Sequence, residues 1–206
     1  MSLRESIAAL LPFVRGRSAR RNLPNSFSGQ GTVMAWDIVG FSDALERVHP
    51  ETLISALGDV VGVYTRSVEE FSGRVLQNIG EAGLAFWLQS PSGTSHALLA
   101  FRCGASICRR LSQSRSPELR PRVRISLGTG TIAGGLITGR PHLVGVAYTT
   151  AKRLHELDLP RRMSMLYTSE TLAFLEGETP RTAPVARLTR TTGEEVEVYE
   201  YCDHSS

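Results

Sequence analysis

Two acidic residues, Asp37 and Glu81, stand next to glycine turns at the ends of apolar segments. Asp37 interrupts the apolar run at residues 32–39, and an unpaired buried carboxylate costs on the order of several kcal/mol, so it needs a cation, hydrogen-bond donors or an opening to solvent. Mg²⁺ and Mn²⁺ are commonly bound by one or two carboxylates plus substrate phosphates, and backbone amides at the turns beside Gly40 and Gly80 are suited to phosphate oxygens. The pattern favours a divalent-metal site, although two surface acids that never meet explain it equally well.

The elements that would position these acids alternate between strands and helices from residue 31 onward. Asp37 falls near the end of a predicted strand, and Glu81 lies at the tip of a hairpin, 80–83. A proline at the first helical position, Pro50, suits a helix start because it has no donor to satisfy. The predicted strands and helices are strands 32–39, 74–79, 84–88, 122–128, 143–146, 163–168, 185–190 and 196–201, and helices 50–71, 95–112, 147–157 and 169–176. A glycine-rich section, 128–139, follows the fourth strand and leads into the fifth.

The composition fits a single globular domain with a substantial core. The chain has 206 residues, of which 41% are hydrophobic and 21% charged. We divide it into an N-terminal segment, 1–30, and a globular domain, 31–206. The N-terminal segment contains a short amphipathic helix at 3–14 and a basic linker at 15–21, which we interpret as solvated because it has no interleaved aromatics.

The charge and cysteine content exclude several classes of protein. The net charge of +3 is modest, and Lys152 is the only lysine; the arginine excess is typical of genome composition, and we expect no nucleic-acid partner. No apolar run approaches the ~18 residues of a membrane span, and no secretory cleavage pattern is visible. The three cysteines show neither metal-ligand spacing nor an even disulfide count, which favours a reducing, cytoplasmic location.

The remaining titratable residues receive a structural interpretation. Four histidines are scattered without a Ser or Cys partner at useful spacing, so we interpret them as surface or helix residues; they are His49, His96, His155 and His204. Cys103 and Cys108 fall on one predicted helix and are expected to be core thiols.

Five segments follow one another in the order and spacing of a known set of motifs. They are DIVGFS at 37–42, QNIGEAGLAFW at 77–87, SLGTGTIAGG at 126–135, AYTTAKRL at 147–154 and LTRTTGEEVEVYEY at 188–201. Together, from about Gly31 to Tyr201, they resemble the catalytic domain of class III nucleotide cyclases. The resemblance implies a ferredoxin-like α+β fold with a central, mostly antiparallel sheet flanked by helices. It also implies conversion of a nucleoside triphosphate to a 3′,5′-cyclic monophosphate and pyrophosphate, a phosphorus–oxygen lyase reaction.

The resemblance assigns a metal and triphosphate site to the first two motifs. It implies that Asp37, Glu81 and the Ile38 carbonyl hold two Mn²⁺ or Mg²⁺ ions per site. The backbone at 39–42, including Phe41 and Ser42, would bind the triphosphate. Such ions are suited to this reaction, because a metal lowers the pKa of an attacking hydroxyl and neutralises leaving phosphates.

The resemblance assigns arginines to the later motifs. Arg153 would stabilise charge on the α-phosphate, a role that suits a bidentate guanidinium, and Arg190 would contact the terminal phosphates. In the family the site straddles a homodimer, with the metal acids from one subunit and the arginine from the other. A monomer of this protein is therefore expected to be inactive.

Four positions depart from the family pattern. The second metal acid is Glu81 where the family has Asp, which favours Mn²⁺ because the carboxylate gains a methylene of reach. Thr149 stands where the family has an Asn that orients the ribose. At the two positions that distinguish adenine from guanine, this chain has Gln77 and His142, which match neither purine pattern.

These departures leave three functions open. The favoured hypothesis is a cyclase for a smaller base, UTP with CTP as the second choice, resembling the pyrimidine cyclases of bacterial anti-phage Pycsar systems, which make cUMP or cCMP for a separate effector protein. The second is an adenylate or guanylate cyclase with a non-standard purine pocket. The third is a degenerate cyclase fold that serves as a nucleotide-binding or interaction module.

Overall fold

A computed structural model describes residues 26–91, 93–113, 122–157, 164–175, 183–190 and 192–201. The predicted helix at 3–14 and the basic linker at 15–21 lie outside these ranges. The strands are β1 (Ser26–Ile38), β2 (Arg74–Ile79), β3 (Ala82–Leu88), β4 (Val123–Ile137), β5 (Arg140–Val144), β6 (Ser164–Thr168), β7 (Ala186–Thr189) and β8 (Glu195–Tyr201). The helices are α1 (Phe41–Leu45), α2 (Pro50–Glu70), α3 (His96–Ser112), α4 (Val146–His155) and α5 (Ser169–Leu172).

The strands form one mixed sheet in the order β2-β3-β1-β4-β6-β8-β7, and β5 pairs with the second half of β4. Every pairing is antiparallel except that of β4 with β6. The order β2-β3-β1-β4, with α2 and α3 as the connecting helices, is the ferredoxin-like arrangement. The predicted α+β class and mostly antiparallel sheet are therefore confirmed.

Helices cover both faces of the sheet, and β1 contributes alternate side chains to each face. Met34 and Trp36 pack in the cluster formed with α2 and α3. Val33 and Ala35 pack on the opposite face, in the cluster that contains Ala147 and other residues of α4. Because successive side chains of a strand point to opposite faces, the next odd-numbered position, 37, lies on the α4 face.

The long helices and the strand hairpin agree with the sequence predictions, but the glycine-rich section does not. β4 continues to Ile137, so the prediction that the strand ends at residue 128 was wrong. Gly128 is required for close packing, because a Cβ there would lie 2.2 Å from the Ala147 carbonyl oxygen of α4. The glycine therefore admits the helix without ending the strand.

Several boundaries also moved. β1 begins at Ser26, because residues 26–31 pair with the glycine-rich half of β4. β3 begins at Ala82, which reduces the predicted four-residue hairpin tip to a tight turn at Gly80 and Glu81. The short helix α1 was not predicted, and α5 ends at Leu172. No helix among the described residues is long and apolar enough to cross a membrane.

Candidate active site

The pairing of β1 with β3 brings the two predicted metal acids to the same end of the sheet. Asp37 lies opposite Ala82 in the ladder, and the Ile38 amide donates a 3.1 Å hydrogen bond to the Glu81 carbonyl oxygen. The Glu81 carboxylate has no ion-pair partner within the described part of the chain. The proximity of the two acids therefore follows from backbone register.

Asp37 is held by a histidine from α4. Its Oδ2 lies 2.9 Å from His155 Nε2, and the two side chains are about 30% and 20% exposed. Asp37 Oδ1 is buried and has no hydrogen-bond partner among the described residues. On the other side of the imidazole, Nδ1 lies 3.1 Å from the Ser126 hydroxyl of β4. The two carboxylate oxygens therefore differ: one is occupied and the other is unsatisfied.

His155 is the site residue that sequence analysis missed. It is on a helix, as expected, but it contacts a candidate metal ligand. Its sequence signal was weak, because Asp37, Ser126 and His155 lie on three elements that meet only when the strand registers and the position of α4 are known. The one available signal is strand alternation, which puts Asp37 of β1 and Ser126 of β4 on the same face of the sheet. In the structure, α4 covers this face.

The residues present fit a divalent cation. The buried, unpartnered Oδ1 of Asp37 is the type of oxygen that such an ion takes as a ligand. Among the described residues, no group of three or more His, Cys, Asp and Glu side chains is arranged to hold a metal. A cation at Asp37 and Glu81 would therefore need further oxygen ligands, such as the Ile38 carbonyl and substrate phosphates.

The chain turns sharply after β1 at the predicted triphosphate segment. Gly40 has a φ of 78°, in the left-handed region, and its carbonyl accepts the first helical bond from Ala44. The amides of Phe41 and Ser42 precede that bond, and such first-turn amides have no partner within their helix. Ser42 is exposed, whereas Phe41 packs against the core.

Thr149 and Arg153 lie one helical turn apart on α4. The Thr149 hydroxyl donates a 3.1 Å hydrogen bond to the Gly145 carbonyl and is exposed. The half-buried Arg153 has no hydrogen-bond or ion-pair partner in the part of the chain that the structure describes. Its guanidinium is therefore available to an anion.

Arg190, directly after β7, already has anionic partners. Its guanidinium bonds to the Glu170 carboxylate and lies 3.0 Å from Glu194 Oε2. Arg190 Nε is buried without a hydrogen-bond partner. A phosphate at this position would have to compete with at least one carboxylate.

The sequence matches no established family profile. It is 23% identical over 152 residues to Receptor-type guanylate cyclase gcy-23 of Caenorhabditis elegans, covering 70% of this chain and 14% of that protein. It is 25% identical over 143 residues to Retinal guanylyl cyclase 2 of Rattus norvegicus, covering 66% and 13%. The chain thus spans only about an eighth of the length of these curated relatives.

Solved structures resemble the chain along most of its length. The catalytic core of a rhodopsin-guanylyl cyclase with converted specificity, in complex with ATPalphaS, has a TM-score of 0.73 at 18% identity, covering 85% of this chain and 97% of that one. The adenylyl cyclase CyaB of P. aeruginosa has a TM-score of 0.72 at 19% identity, covering 87% and 97%. The chain has the class III nucleotide cyclase fold.

Within this cyclase fold, one of the two residues predicted to recognise the base lines a pocket beside α4. Gln77 lines a pocket of about 250 Å³ between β2, β3 and α4, together with Tyr148, Lys152 and His155. His142 lies on β5, is exposed and does not line this pocket. Gln77 therefore lies in the same pocket as His155, which contacts Asp37, whereas His142 is on β5, a strand that contacts β2.

Proposed function

We propose that the protein is a nucleotide cyclase, a phosphorus–oxygen lyase that converts a nucleoside triphosphate to its 3′,5′-cyclic monophosphate and pyrophosphate. The observation that carries this proposal is the placement of Asp37 and Glu81 at one end of a cyclase-fold sheet, with Asp37 Oδ1 buried and unpartnered. A buried oxygen in that state is unfavourable unless a ligand satisfies it.

In this reaction the residues at the end of β1 and in the β2–β3 turn bind the metal ions and the triphosphate. Asp37, Glu81 and the Ile38 carbonyl would hold two Mn²⁺ or Mg²⁺ ions, which when bound acidify the ribose 3′-hydroxyl and neutralise the leaving phosphates. The backbone amides at Phe41 and Ser42 bind and orient the triphosphate. Positioning of this kind accounts for much of the rate in phosphoryl transfer.

The second half of the site supplies positive charge. The Arg153 guanidinium binds the α-phosphoryl oxygens in a bidentate manner and stabilises the charge that develops there. Thr149, one turn earlier, holds the ribose by a hydrogen bond, and Arg190 binds the terminal phosphates in exchange for Glu170 or Glu194.

We propose that two copies of the chain form the site, with the acids from one and Arg153 from the other. The unpaired state of Arg153 supports this, since its anionic partner would come with the second copy and the substrate. Exposed apolar side chains on the β4–β5 hairpin and at the start of α4 also support it, because exposed apolar surface is a feature of interaction sites. They are Leu136, Ile137, Val144 and Val146, each at least 39% exposed.

For the base, we favour UTP, with CTP second. The Gln77 amide offers one donor and one acceptor face, which match the O4 and N3–H edge of uracil, and the amide can flip to meet cytosine. His142, on β5 next to β2, would provide the second contact to the base.

A purine cyclase is the second candidate, and the comparisons favour it. The curated relatives are guanylyl cyclases, and one structural relative is described as having converted specificity. Gln77 could also pair with the O6 and N1–H edge of guanine, which presents the same donor and acceptor order as uracil. The two candidates therefore differ in base size.

A direct assay distinguishes these functions. The purified protein is incubated with Mn²⁺ and each of the four nucleoside triphosphates, and cyclic product and pyrophosphate are quantified, with Asp37→Ala as the matched inactive control. We expect UTP to give the highest kcat/KM. A higher value for ATP or GTP than for both pyrimidines would support the purine cyclase, and no product from any nucleotide would contradict cyclase activity.

We further propose that the product is a cytoplasmic signal for a separate effector protein, in the manner of an anti-phage system. The buried thiols of Cys103 and Cys108 are compatible with a reducing compartment. Expression of the wild type, but not of Asp37→Ala, should raise cellular cUMP or cCMP after phage infection. Unchanged cyclic pyrimidine levels in infected cells would remove this role and leave the enzymatic proposal standing.

A further inference from the structure

Three side chains from three elements form a hydrogen-bonded row beside the candidate metal site. Ser126 of β4 contacts His155 Nδ1 at 3.1 Å, and His155 Nε2 contacts Asp37 Oδ2 at 2.9 Å. Ser126 is fully buried, so its hydroxyl is not accessible to a substrate. His155 therefore connects the candidate metal ligand Asp37 to the buried hydroxyl of Ser126.

The direction of these hydrogen bonds follows from the chemistry of the groups. An ionised carboxylate only accepts hydrogen bonds. His155 Nε2 therefore carries a hydrogen and donates a hydrogen bond to Asp37 Oδ2. The Ser126 hydroxyl can donate to or accept from Nδ1, so it holds the ring in place. With both ring nitrogens engaged, the imidazole offers no lone pair to a cation in this position.

The backbone that carries His155 is anchored as well. Arg124, which lies opposite Asp37 in the pairing of β1 with β4, donates from Nη1 to the carbonyl oxygens of His155 and Leu157 at 2.9 and 3.3 Å. Gly128 lets the other end of α4 approach β4 closely. The imidazole is thus placed by contacts at its ring and at its main chain.

We infer that His155, supported by Ser126, is a positioning residue that occupies Asp37 Oδ2 and thereby directs Oδ1 to the divalent cation. This inference rests on the metal site of the proposed function and extends it to residues outside the cyclase motifs. A carboxylate without this bond is free to rotate about its Cβ–Cγ bond, so Oδ1 is less often presented to the ion. Partners that orient a metal ligand typically contribute 10- to 100-fold to metal affinity or activity.

The test measures binding of the manganese–tripolyphosphate complex to the full chain by isothermal titration calorimetry. This probe supplies phosphate oxygens but has no base and no ribose, so it neither depends on base preference nor turns over. His155→Leu removes the donor, whereas His155→Gln keeps an N–H donor near the position of Nε2. Ser126→Ala removes the anchor, and His49→Leu, at an exposed position before α2, is the matched loss of an imidazole.

We expect His155→Leu to weaken binding of the probe about tenfold, Ser126→Ala to weaken it less, and His155→Gln to restore it to within about threefold of wild type. His49→Leu should bind as wild type does. Thermal unfolding of each variant identifies any loss of fold; if His155→Leu does not fold, Ser126→Ala and His155→Gln still decide the question. A purely structural role of the imidazole would change unfolding but not probe affinity in the folded variants.

Wild-type affinity in His155→Leu and Ser126→Ala would overturn the inference, as would a His155→Gln variant no better than His155→Leu, or a wild type that does not bind the probe. A different result would refute the cyclase proposal. A wild type that binds the probe in a His155-dependent manner but forms no cyclic product from any nucleotide would refute the activity and retain the positioning role.

Discussion

At the scale of single residues, the position of Asp37 is explained by the two-residue period of β1. The even-numbered neighbours Trp36 and Ile38 enter the core under α2 and α3, whereas position 37 faces α4, where His155 meets its carboxylate. An acid inside an apolar run is thus compatible with folding, because the Asp37 side chain is about 30% exposed and His155 provides a partner for one of its oxygens. In the proposed function the divalent cation satisfies the other oxygen.

Glu81 provides a test of metal preference. Its side chain is one methylene longer than the aspartate of the family pattern, which we expect to favour the larger Mn²⁺ over Mg²⁺, since Mg²⁺ requires near-ideal octahedral geometry. Glu81→Asp should therefore raise the ratio of Mg²⁺-supported to Mn²⁺-supported activity. Initial rates at saturating concentrations of each metal measure this ratio, and an unchanged or lower ratio in the variant would show that side-chain length does not set the preference.

A second residue-scale prediction concerns pH and the buried His96. Its Nδ1 lies 2.8 Å from the Thr32 hydroxyl, and its Nε2 has no hydrogen-bond partner within the described ranges. Burial lowers the pKa of His96 below the usual value near 6.5. The unfolded state therefore binds the proton first as the pH falls, so this residue's contribution to stability is present above the unfolded pKa and is lost below it. The urea midpoint should fall more between pH 7.5 and 5.5 in wild type than in His96→Gln.

The test compares how much the urea midpoint changes between pH 7.5 and 5.5 in each protein. The midpoint at a single pH does not test the role of His96. His96→Gln loses the tilted ring contact with Phe174 and is expected to be less stable at both pH values. If wild type and variant lose the same stability over this pH interval, another group controls the acid sensitivity.

At the scale of elements, the amphipathic helices and β2–β3 could be predicted, but the long strand β4 could not. Helix α2 has a proline start and a 3.6-residue apolar period, so its bounds follow from local signals. In β4 the glycines at 128, 130, 134 and 135 resemble a loop locally. Strand structure there depends on pairing with residues 26–31 and on packing of α4, and both are tertiary contacts that override local propensity.

Gly128 tests this explanation of β4. A Cβ at Gly128 would lie 2.2 Å from the Ala147 carbonyl oxygen and 2.5 Å from the Ala151 amide nitrogen, both backbone atoms of α4. Gly128→Ala should therefore reduce the free energy of unfolding by about 1–3 kcal/mol and reduce activity by displacing Arg153 and His155. Urea unfolding and initial rates measure both effects.

Gly58 offers the matched control, since a Cβ there would meet nothing within 4 Å and the residue lies inside α2. Gly58→Ala should stabilise the protein by about 0.5–1 kcal/mol, because alanine loses less backbone entropy in a helix. A Gly128→Ala variant as stable and active as wild type would mean that α4 does not need this close approach.

At the scale of the whole molecule, the motifs predicted the fold, whereas the site depends on strand register and, in the proposed function, on a second copy of the chain. The resemblance of the motifs to the cyclase family implied roles for Asp37, Glu81 and Arg153, and the structure leaves Arg153 without a partner in the described chain. The His155 contact could not be predicted, because it needs the relative positions of β1, β4 and α4. A homodimer with two-fold symmetry has two equivalent sites. The proposal that each site takes residues from both copies can therefore be tested by mixing two variants.

The most direct measurement is cyclic-nucleotide formation by a mixture of Asp37→Ala and Arg153→Ala, each inactive alone. In a mixed dimer one site collects both substitutions and the other neither, so after full exchange an equimolar mixture should recover about a quarter of wild-type activity, since half of the dimers carry one intact site of two. Exchange is verified by pull-down between differently tagged copies. Proven exchange without any recovery of cyclic product and pyrophosphate would contradict a cyclase site shared between two copies of this chain.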